Sequence, residues 1–401
     1  MNEKKMIYFD NAATSFYRPL CVGEAVKKAI AACSNASRGA YESSLHSDRI
    51  LFEAREMLCD LFHADSPSRI AFTRNATEAL NTALFGIGLK RGDHLIVSVN
   101  EHNSVLRPAY RLQKRGIVLH VIGVDPKGVF DYAEFEKTMD RISQKKKIAA
   151  AISHASNVTG NVTDLGRVGK ICRDHQAILI ADAAQTAGCI PIDMKKMKVD
   201  ILCFSGHKSL MGPQGTGGIA VREGLELTPF LEGGSGIFSF LKDMPEAMPE
   251  HLEAGTQNAH AVAGLLSALK FSDGKRRDWY RKENELRLYF LKGIREINQS
   301  SEKKNRKDKA DGDGKKITVY GNQNTHPHLP IVSFNVAGTD SKKVSDILWK
   351  KQRIAIRPGI HCAPLIHQFY KTEKTGMARV SFSHYNTRKQ IDELLKIISA
   401  I

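Results

Sequence analysis

The sequence predicts an α/β protein, with a large domain around a doubly wound, mainly parallel sheet and a smaller α/β domain. Three observations predict it. Apolar runs of strand length alternate with helical periods through the first half of the chain. Two runs, Ala177–Ala181 and Val199–Phe204, are apolar apart from Asp200 and read as buried strands. The 401 residues, 42% hydrophobic and 25% charged, are ample for a large core and a second unit. The large domain is expected over 21–264, and the small one over 1–20 and 265–401.

Taken in order, Tyr8–Asp10 is a short strand running into Asn11-Ala12-Ala13-Thr14. Its small residues allow close backbone approach to a ligand and equally suit a plain turn. Helices are expected over about Cys21–Cys33 and Ser47–His63; in the second, Ile50, Ala54, Met57, Leu58 and Leu61 share a face. Arg69–Thr73 is a strand opening into Asn75-Ala76-Thr77-Glu78 and a helix with Leu80, Ala83, Leu84 and Ile87 on one side. A strand feeding a helix N-terminus leaves free N–H groups that suit a phosphate. A simple cap by Asn75 or Thr77 has the same chemistry without a ligand. His94–Val99 is the next strand, ending at Glu101-His102-Asn103-Ser104. Strands at Ile117–Ile122 and Ile148–Ser153 follow, the latter leading to Asn157 and Gly160.

Two strand ends carry more chemistry. Ala177–Ala181 delivers Asp182, a carboxylate costly to bury without a cationic partner. A protonated pyridine nitrogen is such a partner. Val199–Phe204 delivers Ser205-Gly206-His207-Lys208 and a glycine-rich turn, 26 residues after Asp182. That interval fits a strand, a connection and an adjacent strand. A lysine just past a strand end, flanked by Ser, His and glycines, suits a Schiff base to a cofactor aldehyde beside an anion cradle. A solvated lysine on a surface loop is the alternative.

Gly218–Val221 reads as a strand returning from this site, and Glu253-Ala254-Gly255-Thr256 lies beyond a glycine-rich stretch. The polar, charged segment 300–314 is expected to be a disordered insertion. Leu329–Val336 and Met377–Ser383 are strands, and Ile391, Leu394, Leu395 and Ile398 mark a last amphipathic helix.

Composition bounds the partners. The formal charge of +16 raises a basic nucleic-acid-binding protein as a competing reading. The densest basic stretch, 302–316, holds seven Lys or Arg against four acids, so most of the excess is spread elsewhere. No groove-reading motif accompanies it, and a solvated basic surface attracting anionic substrates or an acidic protein fits better. Seven scattered cysteines without a Cys-x-x-Cys pair argue for a reducing compartment and against a zinc site. With no leader-like start and no long apolar run, a cytoplasmic protein without a membrane span is expected.

Asp182-Ala183-Ala184-Gln185 followed by Ser205-Gly206-His207-Lys208 resembles the class V aminotransferase family of pyridoxal-phosphate enzymes. Within it the chain is most similar to the cysteine desulfurases and selenocysteine lyases, from Tyr8–Thr14 to Arg379 and Asn386. Arg357-Pro358-Gly359-Ile360-His361-Cys362-Ala363 resembles the short-loop group of desulfurases. The resemblance implies the type I fold, pyridoxal 5'-phosphate as cofactor, a homodimer, and no metal. It implies that Lys208 holds the cofactor and moves protons, that Asp182 keeps the pyridine protonated, and that His102 stacks on the ring. Gln185 and Asn157 would contact the ring, and Thr77, Ser205, His207 and a partner's Thr256 the phosphate. Ala76 stands where many relatives carry Thr, removing one phosphate contact. Arg379, with Asn157, Arg357 and Ala13, would meet the substrate.

The reaction implied is removal of sulfur or selenium from cysteine or selenocysteine, giving alanine. Cys362 would take the sulfur and pass it to an acceptor protein. Its position after Arg357 and His361 suggests cationic neighbours that favour the thiolate. A β-lyase or aminotransferase on the same scaffold is the closest alternative.

Overall fold

The alternation of side chains along buried strands builds the centre of the molecule. The computed structural model describes residues 5–36, 39–142, 145–307 and 316–401. Three elements, β1 (Ile7–Tyr8), α1 (Leu20–Ala32) and α2 (Glu42–Phe62), precede the main sheet. Then come β2 (Ile70–Thr73), α3 (Ala76–Gly86), β3 (His94–Ser98), α4 (Asn103–Lys114), β4 (Val118–Ile122) and α5 (Tyr132–Arg141). They are followed by β5 (Ile148–Ser153), α6 (Leu165–Asp174), β6 (Ile178–Asp182), α7 (Met194–Met197), β7 (Ile201–Ser205) and β8 (Gly217–Val221). The strands lie in the order β2-β8-β7-β6-β5-β3-β4. All run parallel except β8, which pairs antiparallel with both β7 and β2.

Both faces of this sheet are covered. Along β6, Leu179 and Ala181 join a core with Leu58 and Phe62 of α2 and Phe204 of β7. Ile180 points the other way, among Leu80, Leu84 and Leu106 of α3 and α4. A parallel sheet buried on two sides requires such uninterrupted apolar strands, which is why they stand out in the sequence. Helix α8 (Ala259–Ser272) packs on α1 and α2, and its Leu265, Leu266 and Leu269 belong to the first core.

Beyond α8 lie α9 (Arg276–Lys307), β9 (Ile317–Tyr320), β10 (Ile331–Val336), α10 (Ser341–Gln352), β11 (Ile354–Ala355) and β12 (Arg357–Gly359). The chain closes with α11 (Pro364–Phe369), β13 (Met377–Ser381) and α12 (Arg388–Ile398). Four of these strands form an antiparallel sheet in the order β12-β13-β10-β9. Its core gathers Phe290, Phe334, Val380 and Leu394 together with Ile7 and Phe9 from the start of the chain. β1 pairs in parallel with β11, placing Ile7 opposite Ile354.

The expectation of a disordered insertion over 300–314 is corrected in part. Helix α9 continues through Lys307, so 300–307 is helical, while 308–314 lies outside the described residues. Glu, Lys and Arg are good helix formers, and a polar face needs no apolar period to extend an established helix. The second helix likewise starts earlier than expected, at Glu42.

Candidate active site

The carboxyl ends of β3, β5, β6 and β7 meet the N-terminus of α3 at one edge of the sheet. Asn75 caps α3, its side-chain oxygen accepting from Glu78 N at 3.0 Å. The Ala76 amide donates to Ser205 Oγ at 3.3 Å, which ties the helix start to the end of β7. Thr77 Oγ1 lies 2.8 Å from Ser104 Oγ, itself 2.8 Å from His102 Nδ1. Ser104 N donates to the same Nδ1 at 3.1 Å, so the neutral ring carries its proton on Nε2. Burial, aided by the nearby Lys208, pushes the His102 pKa down to about 4. His207 is likewise lowered to about 4 by burial, and its Nδ1 sits 3.0 Å from Thr14 Oγ1. The start of α3, the hydroxyls of Thr77 and Ser205 and the His102–Ser104 pair thus gather at one end of the sheet, where a helix N-terminus favours an anion.

Lys208 is half-buried on the turn after β7, where Ser15 Oγ donates to its carbonyl at 2.8 Å. Desolvation lowers its pKa from 10.5 to about 8, opposed by the attraction of Asp182. Asp182, at the end of β6, accepts from Ala184 N at 2.8 Å, and burial raises its pKa. Gln185 donates to Ala12 O at 3.0 Å, spending one of its two amide hydrogens on the N-terminal loop. Ala13 is held in that loop by Asp10 O, which accepts from its amide at 3.0 Å. A small cleft of about 50 Å³ lies next to the site and shares Gln185 and Ala12 with it. Lys208, Asp182 and His102 are not among its walls.

Arg379 enters from β13 and is 3% exposed. Its Nη2 donates to Asp10 Oδ1 at 3.1 Å and its Nη1 to Asn157 O at 2.9 Å. Its Nε, and Oδ1 of Asn157, are buried without a partner among the described residues. These two lie side by side through the Arg379–Asn157 contact, leaving a guanidinium donor and an amide acceptor available to a carboxylate-bearing, amine-bearing ligand. Arg357 is exposed, its Nε 3.7 Å from Asp10 Oδ2.

Cys362 stands at the same site on the turn between β12 and α11. It is exposed, whereas the six other cysteines are buried or half-buried and none is disulfide-bonded. Its sulfur is one of the groups acting electrostatically on Lys208. His361 and Cys362 are consecutive left-handed residues, with φ of 52° and 56°. Such conformations cost on the order of 1–3 kcal/mol each outside glycine and persist where the surroundings over-determine them. Here Asn157 Nδ2 donates to His361 O at 2.8 Å and Asn103 N donates to Cys362 O at 2.7 Å. The expectation of a cationic His361 is corrected, because burial holds its imidazole well below its ordinary range and leaves it neutral.

Thr256 is exposed on the loop before α8. Its segment is anchored by Glu253, which accepts from Arg55 Nη2 at 2.7 and 2.9 Å and from Phe72 N at 2.6 Å. Sequence reasoning passed over Asp10, Glu101, Asn103 and Ser104. Glu101 is fully buried and accepts from Ser98 Oγ at 2.6 Å and Ser153 Oγ at 2.7 Å. The ladder between β3 and β5 stops at Ile96 and Ala150, and the Glu101 carboxylate takes Ser153 N at 3.0 Å in its place. Burial raises this carboxyl to about 7. Its role arises only where β3 and β5 part, which no local pattern in the sequence reports.

A family model described as Aminotransferase class-V matches residues 7–394. The chain is 31% identical to a probable cysteine desulfurase of Pyrococcus abyssi, covering 99% of this chain and 94% of that protein. Another, from Methanothermobacter thermautotrophicus, is 32% identical over 98% of this chain and 94% of its own length. Among solved structures, the apo cysteine desulfurase from Thermococcus onnurineus NA1 matches with a TM-score of 0.87 and 32% identity, covering 98% of this chain and 94% of that one. The cysteine desulfurase CsdA of Escherichia coli follows the same fold, with a TM-score of 0.81, 26% identity and coverage of 98% and 94%. The parallel sheet ending in Asp182 and Lys208 is therefore a type I pyridoxal-phosphate fold, and the chain belongs to the class V aminotransferase family.

Proposed function

We propose that the protein is a pyridoxal-phosphate-dependent cysteine desulfurase that converts L-cysteine to L-alanine and takes the sulfur on Cys362. The observation that carries the reading is the meeting of Lys208, Asp182, Arg379 and Cys362, from both sheets, around two buried polar atoms that lack partners. The residues present fit the cofactor. Asp182 would hold the proton on the ring nitrogen, and Lys208 is the amine that would hold the aldehyde carbon. Thr77, Ser205, His207 and the α3 amides would hold the phosphate. Bound there, pyridoxal phosphate supplies an electron sink for charge developing at the substrate Cα.

The chain's own groups do the rest. Arg379 offers Nε to the substrate carboxylate, while Asp10 and the Asn157 carbonyl keep its plane fixed. Lys208, with its lowered proton affinity, takes and returns protons at Cα. Cys362 as thiolate attacks the substrate sulfur: a new S–S bond forms, the Cβ–S bond breaks, and its electron pair stays with the carbon. Protonation of that carbon gives alanine, leaving one sulfur added to Cys362 as a persulfide. Selenocysteine would be handled by the same contacts.

A homodimer completes this reading, because Thr256 is exposed and free to meet a neighbour's phosphate corner. The basic surface suits an acidic acceptor protein for the sulfur. A cytoplasmic setting agrees with seven unpaired cysteines. Among the described residues no helix is long and apolar enough to cross a membrane, and no group of three metal-ligating side chains occurs.

The test is to incubate the pure enzyme with cysteine and measure alanine together with reductant-labile sulfur. Cys362→Ala is expected to keep the visible cofactor absorbance and lose most of the desulfuration. Alanine formed by that variant at the wild-type rate would favour a β-lyase instead.

A further inference from the structure

Beneath the Cys362 turn lies a histidine that none of these steps uses. His367, in the first turns of α11, is fully buried. Its Nδ1 is 2.8 Å from Thr372 Oγ1, and its Nε2 is 3.4 Å from Nδ1 of His361. The two rings lie nearly parallel, 29° apart with centroids separated by 5.6 Å. On the far side, His361 Nε2 is 3.2 Å from the carbonyl oxygen of Arg357.

These contacts have one polarity when both rings are neutral. A carbonyl oxygen only accepts, so His361 carries its proton on Nε2 and leaves Nδ1 as an acceptor. That acceptor is met by a proton on His367 Nε2. His367 Nδ1 then accepts from the Thr372 hydroxyl, whose contact with the His367 carbonyl is longer, 3.4 Å. Burial is the main cause holding both imidazoles in the neutral form, His367 at about 4 and His361 well below its ordinary range. The charges acting on the pair are Arg379 and Arg357 at His361 and Glu373 at His367, and Cys362 faces Lys208.

We propose that His367 is a positioning residue for the Cys362 thiol, acting through the ring of His361 to hold the left-handed turn that presents the sulfur. The backbone of that turn is pinned from the large sheet by Asn157 and Asn103. Those two bonds fix carbonyl oxygens and do not touch the His361 ring. The ring is held at Nε2 by the Arg357 carbonyl and at Nδ1 by the buried ring of His367, and two anchors fix its plane where one would let it swing. The proposal rests on the reading that Cys362 takes the sulfur, and the test separates the two.

His367→Leu removes the donor, whereas His367→Gln places an amide N–H near the position of Nε2. With the cofactor-loaded enzyme, His367→Leu is expected to keep its visible absorbance and its KM for cysteine. Its kcat, and the rate at which iodoacetamide labels Cys362 followed by mass spectrometry of that peptide, should fall roughly fivefold to tenfold, the worth of one hydrogen bond. His367→Gln should stay within about threefold of the wild type in both measurements. Thr372→Val, which keeps the volume and removes the hydroxyl that fixes the tautomer, should move the same two readouts in the same direction. It also serves if His367→Leu does not fold. Equal behaviour of the Leu and Gln variants, or a labelling rate in Thr372→Val matching the wild type, overturns the proposal. Desulfuration that survives in Cys362→Ala would instead overturn the sulfur-acceptor reading, while the labelling rates would still decide the role of His367.

Discussion

At the scale of single residues, burial sets the chemistry of the site more than charge does. Lys208 keeps Asp182 as an attractive neighbour, yet desolvation dominates and its pKa falls to about 8. The sign of the consequence is fixed. Below about 8 the side chain is an ammonium that cannot attack an aldehyde, and above it the amine is free. Reloading of cofactor-stripped enzyme by pyridoxal phosphate, followed by visible absorbance, should speed up about tenfold per pH unit below this point and level off above it. An ordinary surface lysine would keep accelerating toward 10.5. Asp182 favours the ammonium, so Asp182→Asn should move the break to lower pH, although its turnover should collapse for want of a protonated ring nitrogen. A break that stays in place in Asp182→Asn would mean that the carboxylate does not act on Lys208. Lys208→Ala should abolish alanine formation outright, and turnover retained by that variant would remove Lys208 from the mechanism.

At the scale of elements, the legible parts of the sequence were those where one segment decides its own fate. The runs before Asp182 and Lys208 are apolar apart from Asp200 because their strands are covered on both faces, and the site residues sit where such strands stop. Arg379, Cys362 and the N-terminal loop were placed by resemblance alone, since their meeting depends on β13, β12 and residues 10–15 folding together across the whole chain. Glu101 was missed because its role exists only where β3 and β5 separate, a matter of pairing that periodicity does not report. Residues 300–307 were read as a loop because helical propensity without an apolar stripe looks like polarity alone. The Arg55–Glu253 pair shows the same dependence on distant partners: a buried bidentate contact joins α2 to the loop that carries Thr256. Removing one partner from such a pair leaves a buried charge and typically costs about 3–5 kcal/mol. Glu253→Ala should therefore lower stability by that order in chemical denaturation and loosen the Thr256 loop. A loss well under 1 kcal/mol would show that water replaces the carboxylate without penalty.

At the scale of the whole molecule, one loop is unusually apolar for an exposed segment. Phe238, Phe240 and Leu241 are 65%, 103% and 57% exposed on a single loop, and Leu20 on α1 is 88% exposed. Isolated exposed apolar residues are ordinary, but neighbouring aromatics on one loop mark an interaction surface. The same stretch of chain leads to Thr256, which is exposed and is the residue proposed to reach a neighbour's phosphate. Association of two copies would cover the aromatics and deliver Thr256 together. The protein should therefore sediment as a dimer at micromolar concentration, and a Phe238→Ser/Phe240→Ser double variant should dissociate at concentrations where the wild type does not. If Thr256 completes a neighbour's phosphate site, loss of the dimer should also weaken retention of the cofactor. Thr256→Val isolates that contribution: it should remain dimeric while needing more pyridoxal phosphate for saturation, by about fivefold if one hydrogen bond to a charged group is lost. A monomeric wild type that keeps its cofactor on dilution would refute the shared site. A dimeric Thr256→Val with unchanged saturation would leave the dimer standing and take Thr256 out of it.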